Sequence, residues 1–143
     1  MTATAGSEDP SDIPTTQVVV RNDRALLICD ETGPLIDSVQ GALDVIGQAW
    51  GHRIDLVVIP VGRLSDDFFI LNTGLAGDVL QKFVSYRLPV AIVGSITSWT
   101  AASSALTAFV SESNNGRHVW FLDDLDQVDA RLDSASNQGA RAG

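Results

Sequence analysis

The run from Asp67 to Gly94, DFFILNTGLAGDVLQKFVSYRLPVAIVG, constrains this chain more than any other stretch. In order it holds a loop, a helix start at Thr73-Gly74, an amphipathic helix, and a wholly apolar strand ending on glycine. Leu75, Val79, Leu80, Phe83 and Val84 recur at helical spacing on one side, with Asp78, Gln81, Lys82 and Ser85 on the other. Pro89 closes the helix, and PVAIVG reads as a strand buried on both faces. A helix feeding such a strand is a unit of an α/β fold.

The rest of the chain repeats the theme. Gln17 to Val20 and Ala25 to Cys29 read as short strands joined by RNDR, which suits a tight hairpin. Asp37, with Gln40 three residues on, is the expected cap of a helix in which Ile36, Val39, Leu43, Ile46 and Trp50 share a side. Gly51 ends it. DLVVIP, Asp55 to Pro60, is a continuous β-branched run of the parallel-strand kind. Ser98 is the expected cap of a third helix, with Trp99, Ala102, Leu106, Phe109 and Val110 inward, and Asn114-Asn115-Gly116 is a helix stop. HVWFL is the last strand, and Leu125, Val128 and Leu132 mark a short terminal helix.

The order β-β-α-β-α-β-α-β-α predicts a single α/β domain over residues 17–133. Its sheet is mostly parallel, of about five strands, with right-handed crossovers, helices on its faces and an antiparallel strand added by the hairpin. Residues 1–16 and 134–143 are read as disordered tails.

Charge excludes some functions. The chain has 143 residues and a formal net charge of −9, with no Lys/Arg cluster, so phosphate backbones and anionic membrane surfaces repel it. No apolar run approaches membrane-spanning length. The N-terminus lacks a positive n-region and an apolar h-region, which makes cytoplasmic residence the default. Cys29 is the single cysteine and has no internal disulfide partner.

Several short motifs stand out: Phe68-Phe69, Thr73-Gly74, Ala76-Gly77, Gln81-Lys82-Phe83, Ala91-Ile92-Val93-Gly94 and Glu112-Ser113-Asn114. From about Val18 to Leu132 the chain resembles the bacterial family catalogued as domain of unknown function 4180. Ser95 stands where that family often carries an acidic residue. The element order is also similar to the sulfate-transporter and anti-sigma-factor-antagonist (STAS) domain. In its regulatory members a Ser-Gly or Thr-Gly pair opens the helix after the third strand, and a partner kinase phosphorylates the hydroxyl. Thr73-Gly74 falls at the matching place, although Asn72-Thr73 replaces the usual Asp-Ser-Ser run and the preceding loop is longer. The STAS resemblance implies a non-catalytic regulatory domain.

Two sites follow. Thr73 is expected to cap its helix, with Gly74 and Gly77 permitting close approach by a partner backbone. Asp66, Asp67 and Asp78 nearby discourage a free anion there, so docking is the better version of a functional role. Lys82, Tyr86 and Arg87 extend that surface, because Tyr and Arg suit interfaces. The second site is acidic. Cys29, Asp30 and Glu31 end one strand and Asp66-Asp67 follow the next by a short loop, so adjacent parallel strands would bring them to one carboxyl edge as acid–base groups of a small enzyme or ligand-binding protein. His52 and His118 lack metal-ligand spacing, Ser103 and Ser104 sit in a helix rather than a nucleophile elbow, and neither a P-loop nor a dinucleotide fingerprint occurs. No metal or cofactor is expected. A protein partner or a second copy of the chain is, and a small molecule stays open.

Overall fold

A computed structural model describes residues 16–21 and 23–142, with side chains as far as Asp133. Of the two expected tails, residues 1–15 and the side chains beyond Asp133 fall outside the described part. Gln17–Arg21 (β1) and Arg24–Ile28 (β2) pair antiparallel, from Gln17 opposite Ile28 to Arg21 opposite Arg24. Asp23 turns the hairpin with φ 62. Leu56–Pro60 (β3), Val90–Val93 (β4) and Val119–Leu122 (β5) then add in parallel, so the strand order is simply the chain order. The α/β expectation, with a mostly parallel five-stranded sheet and an antiparallel hairpin strand at one edge, is met.

Val39–Ala49 (α1), Leu75–Ser85 (α2), Thr97–Ala102 (α3) and Ser104–Asn115 (α4) lie in the crossovers, and Leu125–Ala142 (α5) follows the last strand. Right-handed crossovers between successive neighbours put their helices on one face. There Leu27, Val57, Val90, Val119, Ile59, Ile92 and Phe121 meet Val45 and Ile46 of α1, Val79 and Phe83 of α2 and Leu106 of α4. On the other face Leu26, Leu56, Val58, Ala91, Trp120 and Leu122 lie under Val128 and Leu132 of α5. Each fully buried side chain of this size contributes ~1.5–3 kcal/mol. An ion pair of 2.6 Å between Arg21 and Asp129 ties α5 to the hairpin, and Arg131 lies 4.5 Å from the Trp120 ring centroid.

Four local expectations shift. Ser98 does not cap the third helix, which starts at Thr97 with Ile96 at the cap position and no side-chain cap bond. Ser38, not Asp37, caps α1, its Oγ accepting from the Gly41 N–H at 3.4 Å. The third helix is broken in two. Ser103 adopts φ −147 and its Oγ accepts the Leu106 N–H at 3.1 Å, starting α4 afresh. Ser and Thr compete for backbone groups in this way, and Thr107 Oγ1 satisfies the Thr100 and Ser103 carbonyls at the break. The terminal helix, expected to be short, runs to Ala142. Gly94 has φ 138, and a Cβ there would stand 2.9 Å from Val61 Cβ, so glycine lets β4 end against the turn after β3.

Candidate functional site

The carboxyl edge carries the predicted acidic residues. β2 and β3 are parallel neighbours, so Cys29 and Asp30 do lie beside the turn that follows Pro60. Asp30 Oδ1 accepts from the Thr32 N–H at 2.8 Å and the Thr32 hydroxyl at 2.6 Å, which is turn chemistry. Glu31, Asp66 and Asp67 are exposed. Asp67 is the second residue of the 3-10 turn Asp66–Phe69, and its carbonyl, not its carboxylate, takes the bond from Thr73. Cys29 is 3 % exposed. Burial pushes its thiol up to about 11 against a smaller downward pull from Arg63, so it stays a neutral thiol at ordinary pH. Among the described residues no group of three or more His, Cys, Asp and Glu is placed to hold a metal ion.

Thr73 stands one residue before the cap of α2. The cap is Gly74, at φ 81. The Thr73 hydroxyl donates toward the Asp67 and Ile70 carbonyls, each 2.8 Å away, and accepts from the Leu75 N–H at 3.2 Å. It thus serves a first-turn amide, as expected, from a position shifted by one. Gly74, Gly77, Asp78, Gln81, Val84 and Ser85 line the exposed side of α2, and Lys82 is half-buried. Tyr86 and Arg87 lie at the opposite end of this 11-residue helix from Thr73, roughly 16 Å away.

That opposite end holds a feature the sequence pattern concealed. Trp50 was expected on the inward stripe of α1. It is the C-cap, with ψ 135, and the chain swings it outward to 73 % exposure. Its ring stands edge-on to Tyr86, centroids 6.3 Å apart. The pair stands over a cleft of about 400 Å³ lined by Ile46, Ala49, Ile54 and Leu88 and rimmed by His52, Arg53 and Arg87. Arg87 closes α2 in the left-handed region, φ 58, while the Leu88 N–H reaches the Phe83 carbonyl at 2.9 Å. Glycine is the ordinary choice at such a position.

The two edges differ in sign. Asp30, Glu31, Asp37, Asp66, Asp67, Asp123 and Asp124 sit in loops at the carboxyl ends of the parallel strands. Arg21, Arg24, Arg53, Arg87 and Arg117 sit at the amino ends, outnumbering Asp23 and Asp55 there.

Arg63 lies among the acidic residues of the carboxyl edge and was not singled out from sequence. It ends the 3-10 turn Val61–Arg63 after β3, is 5 % exposed, and is the one charged residue among the buried side chains described. Nε donates to the Pro34 carbonyl and Nη1 to the Asp30 carbonyl, both at 2.7 Å. A Cβ on Gly33 would stand 2.5 Å from the guanidinium carbon, so that glycine makes room for it. Arg63 lines a groove of about 550 Å³ with Thr16, Val18, Leu27, Pro34, Gln48 and His52. A lone arginine after an apolar strand has no periodic signal. The only hint was a glycine thirty residues upstream, whose purpose appears only in space.

No curated protein and no solved structure matches this chain. Residues 21–132 match the family described as Domain of unknown function (DUF4180). That span runs from the end of β1 into α5, taking in β2 to β5 and the Trp50–Tyr86 cleft but not Thr16 and Val18 of the groove, and the chain belongs to this family.

Proposed function

We propose that this chain is a non-catalytic regulatory or protein-interaction domain of STAS-like type, docking a protein partner along the exposed side of α2 and chiefly at the Trp50–Tyr86 cleft. The observation that carries the reading is the exposed aromatic pair over an apolar cleft with arginines on its rim. Aromatic and arginine side chains around an apolar pocket are the usual anchors of protein interfaces.

Two departures from local preference support the same surface. Gly77 lies inside α2 with nothing within 4 Å of where a Cβ would stand, so the fold does not need a glycine there. Arg87 occupies a left-handed position that favours glycine. Such departures are expected where a surface serves something other than folding.

The rim suits an acidic partner segment. Arg53 and Arg87 hold no ion pair among the described residues. The acidic edge lies a strand away, ~13–17 Å for strands of four to five residues. That exceeds the Debye length of ~8 Å at physiological salt, so the rim is screened from that edge. The similarity of element order to STAS domains is the support for a regulatory role, with Thr73 as its modifiable hydroxyl.

Capture by cross-linking tests this. Wild type recovers one partner reproducibly, and Trp50→Ala reduces recovery more than tenfold with an unchanged melting temperature. Recovery of nothing reproducible, or equal recovery by wild type, Trp50→Ala and Thr73→Asp, refutes it. Small-molecule binding is the second reading, favoured by the groove that Arg63 lines. The acid–base version of that reading finds less support, because Cys29 is a sealed neutral thiol and the clefts described are lined by residues other than Asp30, Glu31, Asp66 and Asp67.

A further inference from the structure

We propose that the groove between α1 and β1 binds a small organic monocarboxylate, whose carboxylate pairs with Arg63 and whose apolar body lies over Val18, Leu27 and Pro34. This stands apart from partner docking at the Trp50–Tyr86 cleft, although His52 borders both.

The first ground is an uncompensated buried charge. Taking a guanidinium out of water is costly unless an opposite charge or a full set of hydrogen bonds replaces the solvent. Arg63 is 5 % exposed, yet among the described residues it holds no ion pair. A guanidinium has five donor hydrogens. Nε and Nη1 each find one carbonyl, and Nη2 finds no acceptor among the described residues. Nor is Nη2 sealed away, since it is not among the buried polar side-chain atoms left without partners. The donor left over therefore belongs to the groove that Arg63 lines. The neighbouring Cys29 does not supply the missing negative charge, because its thiol stays protonated.

The second ground is that the arginine is held in place in advance. Gly33 leaves room for the guanidinium, the Pro34 and Asp30 carbonyls fix two of its nitrogens, and its own carbonyl accepts the Ile36 N–H at 2.6 Å. A positioned arginine loses little freedom when an anion arrives, and its fork matches a carboxylate.

The third ground is the shape and chemistry of the space. Its volume, about 550 Å³, falls within the range of roughly 300–1,000 Å³ usual for small-molecule sites. One cation at one end, apolar side chains along the wall, and Thr16, Gln48 and His52 as polar groups describe a ligand with one anionic head, an apolar body and room for a polar substituent. A ligand with several negative charges meets a chain of net charge −9, which favours the monoanion.

Calorimetric titration with benzoate and 4-phenylbutyrate tests the proposal, with benzamide and inorganic phosphate as comparisons. A saturable carboxylate Kd below ~1 mM is expected, with benzamide and phosphate at least tenfold weaker. Arg63→Gln is expected to abolish the binding. Val18→Asp places a negative charge on a half-exposed wall residue without touching Arg63, and is expected to weaken it more than tenfold with the circular dichroism unchanged. If Arg63→Gln does not fold, Val18→Asp decides. Carboxylate and amide binding alike, phosphate binding more tightly than benzoate, no binding at ~10 mM, or Val18→Asp binding like wild type would each overturn the proposal. None of these outcomes bears on whether Trp50 docks a protein.

Discussion

Replacing Asn114 by alanine should open the free edge of the sheet. Among the described residues β5 has a neighbour on one side only, β4. On the other side Asn114, near the end of α4, presents its amide to Phe121 as a neighbouring strand would. Oδ1 accepts the Phe121 N–H at 2.7 Å, and Nδ2 donates to the Phe121 carbonyl at 3.2 Å. The Asn114 carbonyl in turn accepts from Arg131 Nη2 at 2.7 Å, so one residue joins α4, β5 and α5. Phe121 is 7 % exposed.

Alanine leaves two backbone groups of a buried residue without partners. Each costs ~1–3 kcal/mol where water is excluded and ~0.5–1.5 where water replaces the partner. Asn114 is half-buried, so water reaches part of the way, and a loss of about 2–3 kcal/mol is expected. For a chain of this size each kcal/mol moves the melting temperature by roughly 2–4 °C, giving a fall of about 4–12 °C. Urea unfolding followed by tryptophan fluorescence, with calorimetry beside it, reads both values, and the urea slope should not change. Asn114→Asp keeps the acceptor for the N–H but sets a carboxylate against the Phe121 carbonyl, and should not restore wild-type stability. An Asn114→Ala variant within ~0.5 kcal/mol of wild type would refute the edge-closing role.

Two other perturbations separate folding from function. The Cys29 thiol is held up at about 11 in the folded chain, against an ordinary 9.0 when unfolded. Its contribution is complete below pH 9 and is lost as pH rises from 9 to 11, because the unfolded thiol gives up its proton first. The loss amounts to about 2–3 kcal/mol in all. Urea midpoints measured across that window should fall more steeply for wild type than for Cys29→Ala, and parallel curves would disprove the burial argument. Gly77→Ala should stabilise the fold by ~0.5–1 kcal/mol, since the position is helical and nothing occupies the space its methyl would take. A destabilised Gly77→Ala would mean that the glycine serves the fold rather than the surface of α2.

What the sequence revealed and concealed has physical reasons. Continuous apolar runs such as LVVIP and VAIV occur where both faces of a strand are covered, so β3 and β4 were plain. Helical spacing placed Val79, Leu80 and Phe83 correctly, because each is buried under its own helix. The same spacing misled at Trp50, where the helix has already ended and an extended ψ carries the side chain off the stripe. Asn114 was legible as part of a helix end, but its hydrogen bonds to Phe121 depend on where the next strand returns. Thr73 was placed within one residue of its task. Arg63 was invisible because its partners are carbonyls at Asp30 and Pro34, and a carbonyl leaves no mark on residue type.

The winding of the sheet explains why the candidate sites lie where they do. Ligands in many open α/β sheets sit at the carboxyl edge where the strand order reverses and neighbouring helices part to opposite faces. Among the described residues this sheet does not reverse, since β2 to β5 follow in chain order with α1, α2 and α4 on one face. No such crevice opens for Asp30 and Asp67 to line. The hairpin instead adds β1 with no crossover helix of its own. A helix over the boundary between β2 and β3 has its axis about 7 Å sideways from β1 at ordinary strand spacing, and reaches only roughly 5–6 Å. The margin of β1 should therefore stay uncovered, and Val18 and Val20 are 47 % and 71 % exposed. The uncovered strip beside α1 is the groove, and the turn after β3 places Arg63 in its wall. The strand that makes the sheet antiparallel at its edge thus also makes the space in which a buried cation finds no ion-pair partner among the described residues.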